Sequence, residues 1–510
     1  MNLQKGSLLR ILLVYPEYLV TDGAAYNLPL GLLHIASYTE AQGHQVTLLD
    51  CAVVPNWKDR LRAQMAEIEL VGISAMTVHL PSVQQILEFI RGELQWKGKV
   101  VLGGVHATLF PVQTIESDWF DYLITGEGEL PFLELIGALS EGRDPSQILG
   151  LGFRNEAGQV VVNPPNKSFD YSTMPHINYG LLEPEMVEYF RGASIGVLSS
   201  RGCPFKCSFC INSAIEGSNK WRSWSAERTA DEIEYVLNTY GSNTVWFWDE
   251  HFFVSRKRVS ELLDAIEQRG LKFSWAAEIR ADTFRRILDD ELLQRLKDNG
   301  CIKLAMGAES GSEKMLKIYN KRINPEDVYE AARRCISVGI QPTFSFIIGA
   351  PGEDREDVAL TLAMFARLMR IDKGIRILGP QIFRPYPGSP LYEKCAESGM
   401  TMPQSVEEWI VSVLRDMTEN NPYISPWIKE PGFVNTVWFY SFLLSTDLSI
   451  LRELFLEYCE KTAKNLAFRI AGQLGIQGFA LLGRLRYRLN FHALPWEIQL
   501  FKKYRAVLSF

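Results

Sequence analysis

Three cysteines lie within eight positions of this sequence, Cys203, Cys207 and Cys210. Thiolates bind soft metals, so three of them in one loop are typical of a zinc site or an iron–sulfur cluster. Structural zinc usually has four ligands, and no second Cys-x-x-Cys or nearby Cys-x-His pair completes such a set. A [4Fe-4S] cubane held by three cysteines would keep one iron free of protein ligands. We interpret the motif as a cluster site whose open iron is the place for chemistry.

The remaining five cysteines stand singly in apolar or helical stretches, and we predict them to be small buried side chains. They are Cys51, Cys301, Cys335, Cys395 and Cys459. Because nothing indicates a disulfide framework in so long a chain, we expect a cytoplasmic protein. The formal net charge of -7 argues against a nucleic-acid surface, which needs clustered Lys and Arg. The apolar stretch ILLVY near the N terminus is too short to span a bilayer, so we expect no transmembrane segment.

The first part of the chain, to about residue 140, alternates short apolar runs with amphipathic patterns. Runs such as RILLVY, QVTLLD and KVVLGG, bounded by Gly or Asp, are typical of a parallel sheet that is covered on both faces. The fold class is therefore α/β, beginning with a doubly wound, Rossmann-like domain. Ligands of such domains bind beyond the carboxyl ends of the strands. Those ends fall at residues 16–26, 74–77, 103–108 and 126–129.

A second alternating series runs from about residue 194 to 390, and its six strand–helix units predict a partial (β/α)6 barrel. The cysteines follow the first of its strands and so lie at the active, carboxyl-end face. Between the two series, residues 149–163 suggest a hairpin and 164–190 a proline-rich linker. We predict four parts: a doubly wound domain at 1–148, hairpin and linker at 149–190, the barrel at 191–395, and a mostly helical domain at 396–510.

The motif Cys-x-x-x-Cys-x-x-Cys resembles the signature of the radical S-adenosylmethionine (SAM) enzymes. Its setting, SSRGCPFKCSFC, is similar to the version in enzymes that carry an N-terminal cobalamin-binding domain. The resemblance implies that SAM chelates the open iron of a [4Fe-4S] cluster through its amine and carboxylate. One electron from the cluster would then release a 5'-deoxyadenosyl radical, which must form beside its substrate in an enclosed, dry space.

Polar residues and tight turns at successive strand ends of the barrel are predicted to bind SAM. They are Asp249 and Glu250 after the second strand, Glu278 and Arg280 at the third, Glu309 and Ser310 after the fourth, and Gly349 and Pro351 in the turn after the fifth. Glu309 is the strongest candidate. A charged residue at a strand end is also commonly a helix cap or a solvated loop residue, and this alternative stays open for each of them.

The N-terminal domain resembles the cobalamin-binding fold in LPLGLLHIASYTEAQGHQVTLLD, GGVHATLFP and DYLITGEGELPFLEL. The residues that we predict to seat the corrin are Pro16, Tyr26, Ser74, Thr77, Gly103, Gly104, His106, Gly126, Glu127, Gly128 and Glu129. The Asp-x-His-x-x-Gly motif of domains that ligate cobalt through histidine is missing from residues 1–150. Histidine ligation is therefore not expected, and His34, His79 and His106 are read as ordinary hydrogen-bonded residues.

The resemblance predicts an enzyme with three cofactors: a [4Fe-4S] cluster, SAM and cobalamin. The expected reaction is methyl transfer from methylcobalamin to an unactivated carbon through a 5'-deoxyadenosyl radical. One alternative is an oxidative cyclisation of the anaerobic magnesium-protoporphyrin monomethyl ester cyclase type, and another is a non-catalytic corrinoid-binding sensor or carrier. The expected partners are a small-molecule substrate, apolar or ring-shaped, and an external one-electron reductant such as flavodoxin or ferredoxin.

Overall fold

The computed structural model describes residues 8–17, 28–166, 174–215, 217–418 and 425–445. Its first sheet has seven strands in the spatial order β2-β1-β3-β4-β5-β6-β7. The strands are β1 (Arg10–Tyr15), β2 (Gln45–Asp50), β3 (Leu70–Ser74), β4 (Lys99–Gly103), β5 (Tyr122–Ile124), β6 (Leu151–Arg154) and β7 (Val160–Val162). The first five are parallel. The predicted hairpin is formed by β6 and β7, and it extends this sheet because β6 pairs antiparallel with β5.

Both faces of the first sheet are covered, as predicted. Successive residues of β1 alternate between two separate apolar clusters, with Ile11 and Leu13 in one and Leu12 and Val14 in the other. A strand whose two faces are both buried reads as a continuous apolar run. The covering helices are α1 (Leu30–Glu40), α2 (Trp57–Gln64), α3 (Leu80–Leu87), α4 (Val105–Leu109), α5 (Pro111–Glu116) and α6 (Glu129–Glu141). A 3₁₀ turn (Thr77–His79) precedes α3, and a π-helical turn (Glu88–Glu93) follows it.

The second sheet has six parallel strands and confirms the partial barrel. Its first strand is β8 (Ile195–Val197), and a short antiparallel ribbon follows it, formed by β9 (Ser200–Arg201) and β10 (Arg222–Ser223). The other five barrel strands are β11 (Thr244–Phe247), β12 (Ser274–Ile279), β13 (Cys301–Glu309), β14 (Gln341–Ile348) and β15 (Arg376–Ile382). The ribbon brackets the three-cysteine loop at the carboxyl end of β8.

Helices connect the barrel strands, and several begin at a side-chain cap, such as Ser225, Ser255 and Asp354. Their bounds are α7 (Pro184–Phe190), α8 (Ala226–Tyr240), α9 (Arg256–Gln268), α10 (Thr283–Arg286), α11 (Asp290–Asp298), α12 (Glu313–Ile318), α13 (Pro325–Ser337), α14 (Arg355–Ile371) and α15 (Pro390–Glu397). Short 3₁₀ turns lie at Tyr179–Leu181 and Ile211–Ser213. None of the helices in the described ranges is both long and apolar enough to cross a membrane.

The described C-terminal helices, α16 (Val406–Thr418) and α17 (Pro431–Ser445), pack on different parts of the molecule. In α16, Ile410 is buried in the core of the first domain, and the indole Nε1 of Trp409 donates to the Gln113 side chain at 3.1 Å. In α17, Val434 and Val437 join the apolar core that includes the barrel. Within the region that we predicted to be a mostly helical domain, residues 396–510, these two helices are held by separate surfaces. Residues 446–510 of the predicted helical domain lie outside the described residues.

The docking of α16 on the first domain is tested by Ile410→Ala. Ile410 is only 5% exposed, and removing a buried isoleucine side chain costs about 2–4 kcal/mol. Chemical denaturation followed by circular dichroism should show this loss in the free energy of unfolding. The neighbouring Val411 is 55% exposed, so Val411→Ala should change it by about 0.5 kcal/mol or less. Equal effects of the two substitutions would contradict the docking.

Candidate metal centre and cofactor sites

The three-cysteine loop is held at its entrance by backbone contacts. Gly202 has φ +86°, and a Cβ at this position would lie 2.3 Å from the Lys220 carbonyl oxygen, so the site requires glycine. The Gly202 N–H donates to Glu250 Oε2 at 2.9 Å, and the Cys203 N–H donates to the Ser218 carbonyl at 2.9 Å. Glu250, predicted to bind SAM, therefore lies next to the loop and contacts its backbone.

All three cysteines of the loop are free thiols, with Cys207 buried and the other two partly buried. Burial is the main reason that the pKa of Cys203 is raised to about 11. The neighbouring Cys207 and Cys210 add to the increase, while a backbone hydrogen bond from Phe205 and the charge of Arg280 oppose it. Burial also raises the pKa of Cys210, with Cys207 adding to the effect and Lys321 opposing it. The three sulfur atoms thus lie close enough to repel one another as thiolates, and two cations stand beside them.

Arg280, at the carboxyl end of β12, lies directly behind the loop. One guanidinium nitrogen is 3.7 Å from Cys207 Sγ, within hydrogen-bond distance for sulfur, and Nε donates to Asp282 at 3.0 Å. The guanidinium also sits over the Phe205 ring at 3.8 Å from its centroid, as in a cation–π contact. A third guanidinium hydrogen bond goes to the Lys321 carbonyl oxygen, and the predicted contact of Arg280 with SAM stays a prediction.

Glu309 and Lys321 form a buried ion pair at the carboxyl end of β13. Lys321 Nζ donates to Glu309 Oε1 at 2.6 Å, and the two side chains are 8% and 7% exposed. Burial lowers the pKa of Lys321, but Glu309 and Cys207 raise it more, so the net shift is upward. Glu309 has φ +62°, a conformation that L-residues rarely adopt. A Cβ on Gly307 would lie 2.0 Å from Glu309 Oε1, so this glycine makes room for the pair.

Glu278 of β12 faces the same ion pair from the neighbouring strand. The residue is exposed to solvent, yet neighbouring protein atoms and charges still affect its carboxyl group. Burial raises the pKa of Glu278, with Lys321 lowering it and Glu309 and Glu250 raising it. Two carboxylates and one ammonium thus share the barrel mouth beside the cysteines, a set of groups that suits a charged, zwitterionic ligand.

Asp249 and Ser310 are both buried and already bonded to neighbours. Ser199 Oγ donates to Asp249 Oδ1 at 2.9 Å, and the Ser200 hydroxyl donates to the same carboxylate. Burial raises the pKa of Asp249 to about 6, while Arg258 opposes this shift. The Ser310 hydroxyl lies 3.0 Å from Thr361 Oγ1. These bonds join the segment after β8 to the segment after β11, and the end of β13 to α14. A contact of either residue with SAM stays a prediction.

The turn after β14 contains Gly349 and Pro351, the other predicted SAM contacts. Gly349 has φ +77°, its N–H donates to Glu353, and its carbonyl accepts from the Trp427 indole at 2.8 Å. Burial raises the pKa of Glu353 to about 8. The turn is therefore bonded to the C-terminal segment that precedes α17, a contact that its own sequence does not indicate.

The predicted corrin-binding residues of β3 and β4 come together at one edge of the first sheet. Gly104 has φ +92°, and a Cβ there would lie 2.8 Å from the Ala75 carbonyl and 3.1 Å from Ser74 Oγ. Thr77 Oγ1 lies 3.1 Å from His106 Nδ1, and His106 Nε2 is buried without a hydrogen-bond partner among the described residues. Gly103 and Pro16 also end strands at this edge, whereas Tyr26 lies outside the described residues.

The GEGE segment after β5 contacts the barrel domain. Glu127 accepts two hydrogen bonds from Arg222, at 2.8 and 3.0 Å, and Glu129 accepts one from Arg201 at 2.7 Å. Gly126 N–H donates to Thr108 Oγ1 at 3.0 Å, and Gly128 packs closely on Ile35. Arg201 and Arg222 lie in the two strands that flank the cysteine loop. The carboxyl edge of the first sheet therefore faces the cysteine loop, and corrin binding by these glutamates stays a prediction.

Sequence reasoning did not find Lys321, Phe205, Arg201 or Arg222. Lys321 lies in a loop beyond α12, and nothing in its spacing connects it with Cys207. Arg201 and Arg222 carried a usable signal, because each stands just outside the cysteine loop, one on either side. Their acidic partners, however, are 72 and 95 positions away in another domain, and such pairings depend on tertiary structure.

The donor set fits an iron–sulfur cluster. The loop supplies three thiols, and the cations of Arg280 and Lys321 offset the negative charge that a thiolate-ligated cluster carries. In the ranges that the structure describes, no three His, Cys, Asp or Glu side chains converge closely enough to hold a single ion. A cubane does not need that convergence, since each cysteine binds a different iron.

Comparisons with known proteins agree with this geometry. The family model of the radical SAM superfamily matches residues 197–365, and that of the B12-binding domain matches residues 19–136. An uncharacterized methyltransferase of Pyrococcus horikoshii is 32% identical over 76% of this chain and 83% of its own length. The chain belongs to the cobalamin-dependent radical SAM family. The anaerobic magnesium-protoporphyrin IX monomethyl ester cyclase of Rubrivivax gelatinosus is also similar, at 26% identity over 76% of this chain and 70% of the relative.

Solved structures of cobalamin-dependent radical SAM proteins share the whole fold. The methyltransferase TsrM from Kitasatospora setae, with cobalamin and a [4Fe-4S] cluster bound, superposes with a TM-score of 0.69. The match covers 94% of this chain and 99% of TsrM at 19% sequence identity. The radical SAM enzyme OxsB, with aqua-cobalamin bound, gives a TM-score of 0.67 over 96% of this chain and 81% of OxsB at 16% identity. The predicted order of a B12 domain followed by a radical SAM barrel is confirmed.

The interdomain ion pairs are tested by Glu129→Gln, which removes the negative charge that the Arg201 guanidinium faces. The two side chains are 3% and 15% exposed, so we expect a loss of about 2 kcal/mol in the free energy of unfolding, less than for a fully buried pair. Glu141→Gln at the other end of α6 is the matched control, because Glu141 and its partner Arg143 are about half exposed. Chemical denaturation measures both, and equal small losses would contradict the structural role of Glu129.

The role of Arg280 beside the cluster is tested by Arg280→Gln in reconstituted protein. Reduction adds negative charge to the cluster, and the guanidinium stabilises it, so the midpoint potential should fall. A loss of about 1.5 kcal/mol corresponds to about 60 mV for a one-electron couple. Redox titration followed by electron paramagnetic resonance measures the change. Arg285→Gln, at an exposed arginine paired with Asp327, should leave the potential unchanged. An unchanged or raised potential in Arg280→Gln would exclude this role.

Proposed function

We propose that this chain methylates an unactivated carbon of a small-molecule substrate, using cobalamin, SAM and a [4Fe-4S] cluster. The observation that carries the proposal is the contact between the two domains. Arg201 and Arg222, on either side of the cysteine loop, bind glutamates at the carboxyl edge of the first sheet. A corrin at that edge and SAM at the barrel mouth would face one shared space, as transfer of a methyl group to a substrate radical requires.

The protein's own groups can be assigned roles in this proposal. Cys203, Cys207 and Cys210 would hold the cluster, and the cluster would supply the electron for cleavage of SAM. Lys321 offers a cation for the SAM carboxylate, and Glu278 and Glu309 offer carboxylates for its ammonium and ribose hydroxyl groups. Because Glu309 and Lys321 neutralise each other before SAM binds, neither charge is buried alone.

The edge of the first sheet suits a large ring with polar substituents. At Gly103 the nearest atom to an added Cβ is 4.0 Å away, and at Gly126 it is 3.7 Å away, so an added Cβ would make no more than ordinary van der Waals contact at either glycine. His106 Nε2 and Ser82 Oγ are buried without hydrogen-bond partners among the described residues. Such groups can bond amide side chains of a corrin, and cobalt ligation by histidine is no part of the proposal.

The overall reaction consumes two molecules of SAM and two electrons for each methyl group transferred. One SAM loses its methyl group and becomes S-adenosylhomocysteine, and the other is cleaved to methionine and 5'-deoxyadenosine, which keeps the hydrogen taken from the substrate. The electrons must come from an external one-electron donor of the flavodoxin or ferredoxin type. We also propose a cytoplasmic location, which the free cysteines among the described residues support.

Product analysis under anaerobic conditions tests the proposed reaction. Reconstituted protein with cobalamin, SAM and titanium(III) citrate should form both S-adenosylhomocysteine and 5'-deoxyadenosine, quantified by mass spectrometry. Cys207→Ser should lower 5'-deoxyadenosine formation at least 100-fold, because a cubane with two cysteines cannot hold SAM at a defined open iron. Cys395→Ser, at a buried cysteine outside the loop, is the control and should form both products.

The same measurement separates the second candidate, a cyclisation like that of the Rubrivivax relative. Cyclisation requires 5'-deoxyadenosine but no S-adenosylhomocysteine. Formation of 5'-deoxyadenosine without S-adenosylhomocysteine would therefore favour cyclisation over methylation. Wild-type protein that forms neither product would contradict both.

A further inference from the structure

A surface cleft lies beside the helix that follows β13. It has a volume of about 330 Å³ and is lined by residues of α12 and of the loop after it, among them Lys317, Asn320 and Arg322. The cleft is separate from the barrel mouth, where Glu278, Glu309 and the cysteines lie. None of the functions assigned above uses it.

The cleft carries a positive charge on a chain whose net charge is -7. Lys317 and Arg322 line it, and the exposed Lys206 projects from the neighbouring cysteine loop. Within the described residues, none of these three cations has an acidic ion-pair partner. Glu313 is the one acidic residue among the lining residues. Cations without partners around a concave surface favour an anionic partner.

The wall of the cleft is hydrogen-bonded directly to the cluster loop. Asn320 Nδ2 donates to the Lys206 carbonyl at 2.6 Å, and the Ser208 N–H donates to the Tyr319 carbonyl at 2.9 Å. These bonds fall on either side of Cys207. A path from the cleft to a cluster ligand therefore crosses one hydrogen bond and one peptide unit.

The backbone at the cleft is held in an uncommon conformation. Asn320 has φ +48° and Arg322 has φ +55°, and neither is glycine. Between them, Lys321 turns inward to Glu309, while Asn320 and Arg322 line the cleft. Left-handed residues of this kind cost free energy and concentrate at functional sites. Here the conformation places a cleft residue on each side of the lysine that lies beside the cluster.

We propose that this cleft is the docking site of an acidic one-electron donor protein of the flavodoxin type. The inference rests on the proposed function, which requires repeated one-electron reduction of the cluster from outside. Redox partners form small, transient interfaces that depend on charge complementarity for fast encounter. In each encounter the donor loses one electron, from its hydroquinone to its semiquinone, and the oxidised cluster gains it.

The test uses reconstituted full-length protein and flavodoxin hydroquinone as the probe. In the double variant Lys317→Glu with Arg322→Glu, the second-order rate constant of cluster reduction, measured by stopped-flow absorbance at low salt, should fall about tenfold or more. The rate with dithionite should stay within twofold of wild type. The matched control is Lys272→Glu with Lys373→Glu, which reverses two exposed lysines at the amino ends of β12 and β15. It should keep the wild-type rate with flavodoxin.

The outcomes separate this inference from the proposed function. A flavodoxin rate that is unchanged in the cleft variant, or reduced equally in the control, overturns the docking site even where SAM cleavage with dithionite proceeds normally. A cluster that dithionite cannot reduce in wild-type protein instead contradicts the proposed function. If the double variant does not fold, the single variant Lys317→Glu tests the same point. Reversing the charge of this exposed side chain should still lower the rate constant with flavodoxin about threefold.

Discussion

The fastening of the cysteine loop to the first domain is the constraint on which the rest of the site depends. The loop begins and ends in two short strands, and each carries an arginine that binds a glutamate of the other domain. A loop of some twenty residues has a large conformational freedom to lose, and two partly buried ion pairs at its base reduce it. These pairs also set the distance between the carboxyl edge of the first sheet and the cysteine loop.

Electrostatics around the cysteines follow from the same arrangement. Three thiols close together repel one another once they ionise, and burial also disfavours the charged form. Both effects raise the pKa of the thiols. The positive charges of Arg280 and Lys321 oppose this increase in pKa. Each cation also forms an ion pair with a carboxylate, Arg280 with Asp282 and Lys321 with Glu309. The result is a nearly balanced set of charges beside the cysteines. A negatively charged cluster and SAM, whose sulfonium gives it a net positive charge, could both bind there without leaving an isolated buried charge.

Much of the architecture could be predicted from sequence because its signals are local. Continuous apolar runs indicated the buried parallel strands of the first domain, and all six barrel strands form within the series predicted at about 194–390. Spacing alone singled out Cys203, Cys207 and Cys210. The assignments that stay predictions concern side chains such as Glu127 and Asp249, whose position at a strand end was visible. Their hydrogen-bond partners, Arg222 and Ser199, could not be identified from the sequence.

The sequence by itself determined the strand order along the chain, the cysteine motif and the glycines that permit tight turns, because each depends on neighbours a few positions apart. Only the tertiary structure decided which charged side chains form ion pairs or hydrogen bonds with one another. The pairing of Glu309 with Lys321, the guanidinium of Arg280 at Cys207 and the binding of α16 to the first domain all join segments that are distant in sequence or reach past intervening residues. Coulomb attraction and apolar burial act through space, so the chain must fold before either can select a partner.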